Sequence, residues 1–137
     1  MQAKPGVVDL LNNILTIELT AINQYFVQAE MVRNWGYERL YEKLRHNSLE
    51  EMKDAQEIIQ HILYLEGIPN LQRLNQVRVG ENVIENLQLD LEAEINAVNT
   101  LAAGVVLCAE VHDFTTRYML EKMQASEEEH IDWLETQ

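Results

Sequence analysis

Turn-forming residues and cysteine are scarce in this chain. Only five Gly and two Pro occur among 137 residues, so long segments run without a turn signal, as is typical of helices. No segment alternates apolar and polar residues for long, which argues against strands. Cys108 is the only cysteine, so no intrachain disulfide can form, and this weakly favours a reducing compartment.

Long apolar runs and positive charges are also few. No run reaches the roughly 18 uninterrupted apolar residues of a membrane span, and the polar N-terminus lacks a signal-peptide core, so we expect a cytoplasmic protein. Ten Lys and Arg stand against 23 Asp and Glu, and the net charge of −13 argues against nucleic acid or an anionic membrane as partner. Such an excess of carboxylates suits a protein that collects cations, although many soluble proteins are simply acidic.

Apolar residues recur at steps of three and four along four long segments, separated mainly by Gly and Pro. Each segment therefore predicts an amphipathic helix with one buried stripe. A hydrophobic content of 47% is too high for a disordered acidic chain, and the length suggests one domain, residues 1–137. We predict an all-α fold with helices at about 7–35, 37–66, 81–110 and 113 to the C-terminus.

The connections between these helices differ in length. The first and third are short and predict antiparallel pairs, whereas residues 68–80 form a longer link. Thirteen extended residues span about 43 Å, and a helix of about 30 residues is about 45 Å long. The link can therefore cross nearly the full bundle. One long crossover in a four-helix bundle is typical of the ferritin-like arrangement.

Four glutamates repeat one spacing in the two halves of the chain. Glu18 precedes Glu51 by 33 residues, and Glu94 precedes Glu127 by the same 33. Each lies on the apolar stripe of a different predicted helix, so all four carboxylates would point into one core. Burying so many charges is very costly unless they are paired or bind metal. A pair of divalent cations offsets that cost, so the spacing predicts a two-metal site.

A histidine accompanies the fourth glutamate. His130 follows Glu127 by three residues, so both side chains share one helix face. Helical di-metal proteins carry such a Glu-x-x-His turn on two helices, but here the turn that begins at Glu51 has Asp54 in the histidine position. Carboxylates with an imidazole suit iron or manganese, and the lack of thiolates disfavours structural zinc. Taken alone, the turn at Glu127 also fits a solvated acidic turn; the repeated spacing favours metal.

Three segments closely resemble bacterioferritin. They are ELTAINQYF at residues 18–26, LYLEGIPNL at 63–71 and EEHIDWLE at 128–135. The resemblance extends over essentially the whole chain. It implies iron storage and detoxification by a ferroxidase, which oxidises Fe(II) at a di-iron centre within each subunit. The Fe(III) mineral would be stored in a hollow twenty-four-subunit cage.

The resemblance also implies roles for the predicted ligands. Glu51 and Glu127 would bridge the two irons. Glu94 and His130 would be terminal ligands of one iron, and Glu18 would be a terminal ligand of the other.

Asp54 departs from the family pattern, which has a second histidine there. Aspartate can bind iron through oxygen, but it is shorter and anionic. It would bind directly or through water, or leave one iron loosely held; the alternative is that it turns to solvent or to an Arg. The added negative charge should also stabilise ferric over ferrous ion. We expect a weakened or altered ferroxidase centre.

Met52 marks a second apolar face. It follows Glu51 and is therefore rotated about 100° from the metal face, with Leu49 and Ile59 near it on the same helix. The resemblance implies that Met52 and its twin across a two-fold axis bind the iron of a b-type haem. Haem-pocket residues on the first helix would be Leu19, Ile22 and Phe26. The alternative is a gap-filling methionine at a subunit interface.

Three further residues are weaker candidates. Tyr25 lies two turns after Glu18 and matches a tyrosine that donates an electron during oxygen reduction; the alternative is a core tyrosine. His46 and Glu50 are four residues apart and match a pair that binds iron on the cage interior, although a solvated pair fits nearly as well.

The resemblance implies two alternative functions. The first is a ferroxidase in a homo-oligomeric cage built from dimers, with a ferredoxin-type electron donor for iron release. The second is a haem-carrying structural subunit with little ferroxidase activity of its own, in a cage mixed with a second bacterioferritin subunit. A rubrerythrin-like peroxidase is disfavoured because no Cys-x-x-Cys segment occurs. The family's short fifth helix is not found before Gln137, which leaves closure of the four-fold axis open.

Overall fold

The computed structural model describes all 137 residues, Met1 to Gln137. Its four helices are α1 (Val7–Asn34), α2 (Glu38–Tyr64), α3 (Val83–Glu110) and α4 (Phe114–Glu135). α1 packs against α2 and α3 against α4, while α1 also contacts α3. No strand occurs. The predicted all-α four-helix bundle with one long crossover is confirmed, and the helix ends lie within two residues of the predicted ones.

Three helices end with one residue in the left-handed region. Gly36, Glu66 and His112 have φ values of 97°, 62° and 62°. After α3, the Asp113 N–H donates to the Cys108 carbonyl at 2.8 Å, the long hydrogen bond of a Schellman motif. Only after α1 is the residue with positive φ a glycine, the residue type that predicts a left-handed conformation from sequence. The α3–α4 turn therefore has no glycine signal, although it has the same geometry.

The last two helices begin with side-chain caps. Asn82 accepts a hydrogen bond from the Glu85 N–H at 2.9 Å, and Asp113 accepts one from the Thr116 N–H at 3.0 Å. Such caps satisfy N–H groups that have no partner within the helix. They mark where α3 and α4 start.

One buried cluster draws apolar side chains from all four helices and forms the core. A smaller cluster, built by Tyr25, Ala29, Val32 and Leu44, fills the space between α1 and α2. Gly104 lies where α3 faces side chains of α1 and α4 at short distance. A Cβ atom there would lie 3.0 Å from Leu120 and 3.2 Å from Leu10, so a side chain would require these two leucines to shift.

The crossover between α2 and α3 lies along α1 and is fixed to its polar side chains. The Asn70 N–H donates to Asn12 Oδ1 at 2.8 Å, and the Asn75 N–H donates to Thr20 Oγ1 at 2.9 Å. These contacts satisfy backbone groups that the extended segment cannot pair within itself. They hold the crossover over the middle of the bundle.

α3 is long and apolar enough by composition to cross a membrane, with a mean hydropathy of 1.3 over its most apolar window. It is nevertheless a helix of this bundle, packed on α4 and α1. It also carries two acids, Asp90 and Glu94, that are 1% and 2% exposed. These buried carboxylates are inconsistent with a lipid-facing helix unless they have partners in the protein.

Candidate metal centre

Four glutamates and one histidine meet inside the bundle. Each comes from a position that shares a helix face with buried apolar residues, so each side chain points inward. All five are at most 5% exposed. They are Glu18 on α1, Glu51 on α2, Glu94 on α3, and Glu127 and His130 on α4. The two glutamate pairs that share the 33-residue spacing are thus brought together.

The ligand atoms form two overlapping groups, within each of which all lie within 4.8 Å of one another. The first, here called the His130 group, is Glu51, Glu94, Glu127 and His130. The second, here called the Asp54 group, is Glu18, Glu51, Asp54 and Glu127. Glu51 and Glu127 belong to both. Two neighbouring cations sharing these two carboxylates would have the arrangement of a helical two-metal site.

One oxygen of each glutamate in the cluster has no hydrogen-bond partner. These atoms are Glu18 Oε2, Glu51 Oε1, Glu94 Oε2 and Glu127 Oε1. A buried acceptor without a donor retains its full desolvation cost. Cations between the four helices would supply the missing partners. The donor set, oxygen with one imidazole, fits iron or manganese.

Without a cation, protons neutralise part of the cluster. Burial and the neighbouring Glu51 raise the pKa of Glu18 well above its usual range, and burial with a hydrogen bond to Glu94 raises the pKa of Glu127 to about 12. Burial alone would lower the pKa of His130, but its contacts with these acids raise it. Burial alone would raise the pKa of Glu94, but hydrogen bonds from Glu127 and His130 lower it. Metal binding must therefore release protons.

His130 presents its two ring nitrogens to different surroundings. Nδ1 faces the cluster, at 3.3 Å from Glu51, 3.4 Å from Glu94 and 3.5 Å from Glu127 carboxylate oxygens. Nε2 points away from the cluster and lies 2.6 Å from a Glu50 carboxylate oxygen. Nδ1 is therefore the nitrogen that a metal ion would meet.

Glu50 links the cluster to an exposed histidine. Its second oxygen lies 2.6 Å from His46 Nε2. The sequence pairs His46 with Glu50 on the helix surface, and the structure does bring them together. The contact between Glu50 and His130 joins α2 to α4 across 80 residues of sequence, and no local spacing predicts it.

Asp54 lies on the other side of the cluster and is half-buried. Its carboxylate belongs to the Asp54 group rather than pairing with an Arg. Burial and the charge of Glu51 raise its pKa to about 7. Because its charged form is disfavoured by burial and it is partly open to water, Asp54 would hold a metal ion less firmly than buried His130.

Tyr25 is buried next to the cluster. Its hydroxyl donates a hydrogen bond to Glu94 Oε1 at 2.6 Å. Burial and the charges of Glu94 and Asp90 raise its pKa well above the usual value, so the phenol stays neutral. It can therefore orient Glu94 as a donor. Its predicted role in electron transfer stays a prediction.

The residues predicted to form a haem pocket lie on the outside of the α1–α2 pair. Met52, Leu49 and Phe26 are exposed. Leu19 and Ile22 are half-buried and rest against the core. The side chain of Met52 is thus exposed on an apolar surface of the single subunit, away from the metal cluster.

A cavity of about 330 Å³ leads from the cluster to the outer surface beneath the crossover. Its lining includes Glu18, Glu51, Glu94 and Glu127 together with the polar residues Thr20, Gln24, Asn75 and Arg78. Thr20, Gln24, Asn75 and Arg78 are not among the site residues predicted from the sequence. Thr20 and Gln24 are spaced one helical turn apart on the face next to Glu18, which is the only signal that the sequence gives.

Asp90 was also missed. It is 1% exposed, accepts a hydrogen bond from Gln24 at 3.0 Å, and has an unpartnered Oδ2. Burial raises its pKa to about 7. It lies one helical turn before Glu94 on α3, a spacing that could have revealed it.

Comparisons with known proteins agree with this geometry. A family model described as the ferritin-like domain matches residues 8–137. Bacterioferritin of Mycobacterium bovis and bacterioferritin BfrA of Mycobacterium tuberculosis are each 48% identical over 137 residues, covering 100% of this chain and 86% of theirs. Bacterioferritin of Streptomyces coelicolor is 44% identical over the same 137 residues, which cover 82% of its length.

Proposed function

The chain belongs to the bacterioferritin family of ferritin-like proteins, and from that premise we propose that its metal centre is a ferroxidase serving iron storage. Family membership supports iron storage in general. The observation that carries the specific proposal is the pair of ligand groups that share Glu51 and Glu127. A site with two shared carboxylates holds two ions close together, as a two-electron oxidation of two Fe(II) requires.

The substrate would be two Fe(II) ions per subunit. Each ion loses one electron, and the pair of electrons goes to an oxidant of the dioxygen or peroxide class. Dioxygen takes up two protons with the two electrons and becomes hydrogen peroxide; hydrogen peroxide takes up two protons and becomes two waters. The cavity beneath the crossover supports access from outside, because its polar wall leads directly to the four glutamates.

The ligands have separate tasks in this proposal. Glu51 and Glu127 hold both ions, because each belongs to both groups. Glu94 completes the His130 group, and Tyr25 orients its carboxylate through the 2.6 Å hydrogen bond. In the Asp54 group, Glu18 is the buried terminal ligand. We propose that Asp54, half-buried and anionic, weakens or alters this second position.

Initial rates of Fe(II) oxidation under air test the proposal, with two adjacent acids compared. Glu127→Gln removes a shared ligand that is 1% exposed and should lower the rate at least about 100-fold. Glu128→Gln changes the exposed neighbour on the same helix and should leave the rate within about twofold. Equal rates in the two variants would sink the ferroxidase assignment.

We also propose a b-type haem held between two copies of the chain. The exposed thioether of Met52, with Leu49 and Phe26 also exposed, fits one half of a bis-methionine site, whose other half would come from a symmetry-related subunit. When bound, the haem would supply a one-electron carrier for iron release. Wild-type protein should then contain about half a haem per chain, whereas Met52→Leu should contain almost none. Met31→Leu, a half-buried methionine on α1, is the control.

The alternative function is a haem-carrying structural subunit with little ferroxidase activity. Asp54 favours it, because the Asp54 group lacks a nitrogen ligand. In that case the purified chain would oxidise Fe(II) slowly, and cages from native cells would contain a second, faster subunit. Full activity in a cage made of this chain alone would reject the alternative.

We propose a homo-oligomer, a twenty-four-subunit cage built from dimers, for the assembly. Large apolar side chains exposed on the single subunit support an assembly, among them Phe26, Ile84 and Tyr118.

We further propose a cytoplasmic location and a ferredoxin-type electron donor. Residues 1–137 are proposed to form one domain, since all four helices contribute to one core cluster.

A further inference from the structure

The carboxylate of Glu50 contacts a buried histidine as well as an exposed one, which its position on the helix surface does not predict. One carboxylate oxygen lies 2.6 Å from His130 Nε2 and the other 2.6 Å from His46 Nε2. His130 is 5% exposed, whereas the side chain of Glu50 is 35% exposed. Glu50 therefore stands between the buried cluster and the surface, on the side of His130 that faces away from the metal ligands.

This contact determines which nitrogen of His130 is free. A neutral imidazole carries a proton on one nitrogen and a lone pair on the other. A carboxylate can only accept, so Glu50 requires the proton on Nε2. When a metal ion replaces the proton on Nδ1, the ring is neutral and its lone pair is on Nδ1, which faces Glu51, Glu94 and Glu127 at 3.3, 3.4 and 3.5 Å. Histidines that bind metal commonly donate the other ring N–H to a carboxylate, which fixes the ring and increases its basicity.

We propose that Glu50 is a positioning residue for the two-metal site, acting through His130 rather than as a surface ligand of iron. This inference rests on the proposed function, because it requires a metal ion at Nδ1. It differs from the sequence-based expectation, in which Glu50 and His46 bind iron together on the cage interior. In the new assignment His46 only restrains the outer oxygen of Glu50.

The surroundings of Glu50 favour this assignment over the surface ligand pair. The oxygen nearest to His130 is engaged at 2.6 Å, and the other is engaged by His46 at the same distance. A metal held by His46 and Glu50 would have to displace the His46 contact. The contact with His130, in contrast, is compatible with a metal on the far side of the ring.

Co²⁺ binding to the metal-free assembly tests the proposal without relying on catalysis. Co²⁺ accepts oxygen and imidazole ligands and its visible absorption reports their number. Wild type should bind two Co²⁺ per chain in the buried cluster. Glu50→Ala should weaken one of these two about 10- to 100-fold and shift its absorption, while the other is retained. Glu50→Gln, which keeps a carbonyl acceptor for the Nε2 proton, should recover most of the lost affinity.

His46→Ala separates the two assignments. If Glu50 acts through His130, His46→Ala leaves both buried Co²⁺ ions within about twofold of wild type. If Glu50 and His46 are instead a ligand pair, both alanine variants remove a separate surface ion and leave the buried two unchanged, which overturns the proposal. Equal weakening of a buried ion by both variants also overturns it. A wild type that binds no buried Co²⁺ is a different failure, that of the two-metal site itself.

Discussion

The two halves of the metal centre share two carboxylates but differ in their outer ligand. The His130 group has a buried imidazole whose far side is held by Glu50 at 2.6 Å. The Asp54 group has a half-buried carboxyl group whose pKa is raised to about 7 by burial and by Glu51. In the proposed two-metal site, the shared acids would hold both ions, whereas the outer ligands would determine how firmly each ion is held. We expect a tight ion beside His130 and a more exchangeable ion beside Asp54.

The largest expected effect separates shared from unshared acids. Glu51→Gln removes a ligand common to both groups, so both ions should bind at least about 100-fold more weakly. Glu94→Gln removes a ligand of the His130 group alone, so the ion beside Asp54 should be retained. Equilibrium dialysis with Co²⁺ measures both affinities. Loss of a single ion in Glu51→Gln would contradict a bridging role.

The second prediction concerns the dependence of stability on pH. It compares the metal cluster with Asp90, a buried acid that belongs to neither ligand group. Asp90 is 1% exposed and its pKa is raised by burial to about 7, against about 3.9 in an unfolded chain. Below about pH 4 it is protonated in both states, so folding carries no ionisation cost. As the pH rises towards 7, only the unfolded state ionises, and the protein loses stability.

Asp90→Asn removes this dependence. Relative to wild type, the variant should gain up to about 4 kcal/mol between pH 4 and pH 8, since each unit of pKa shift corresponds to about 1.4 kcal/mol. Denaturant unfolding at several pH values, at one protein concentration, measures the difference. Parallel stability curves for the two proteins would show that Asp90 ionises as freely in the folded state as in the unfolded one.

A smaller effect on the oxidation rate is expected when the Asp54 group is given a histidine like that of the His130 group. Asp54→His gives the Asp54 group a nitrogen ligand that should hold Fe(II) more firmly at this position, and this should raise the initial oxidation rate roughly tenfold. Stopped-flow measurement of Fe(II) oxidation compares the two proteins. No gain, in a wild type that is already fully active, would refute the proposal that Asp54 impairs the centre.

The smallest effect is expected outside the bundle core. Met52 lies on the outer α1–α2 face, one residue from Glu51 but pointing away from the cluster. Met52→Leu should therefore change the oxidation rate by less than about twofold, although it removes the proposed haem ligand. A large loss of rate with air as oxidant would mean that the two sites are coupled.

The helices and the inward-facing acids could be predicted because both depend on periodic spacing. Steps of three and four place Glu18 and Glu94 on their apolar stripes, and the repeated offset pairs them with Glu51 and Glu127. The helix ends at Glu66 and His112 were less visible, because these residues adopt positive φ without being glycine. Long-range side-chain contacts were not predictable at all. The contact between Glu50 and His130 depends on how α2 and α4 are placed relative to each other in the bundle. The hydrogen bond from the Asn75 N–H to Thr20 depends on the path of the crossover along α1.

Anomalous diffraction from crystals soaked in ferrous salt without oxygen tests directly whether two iron ions bind at the shared glutamates. We expect two iron peaks per chain, about 3.5–4 Å apart, with Glu51 and Glu127 between them and His130 Nδ1 beside one. A single peak bound only by outer ligands, or a cluster that stays free of iron while its acids turn away, would contradict it.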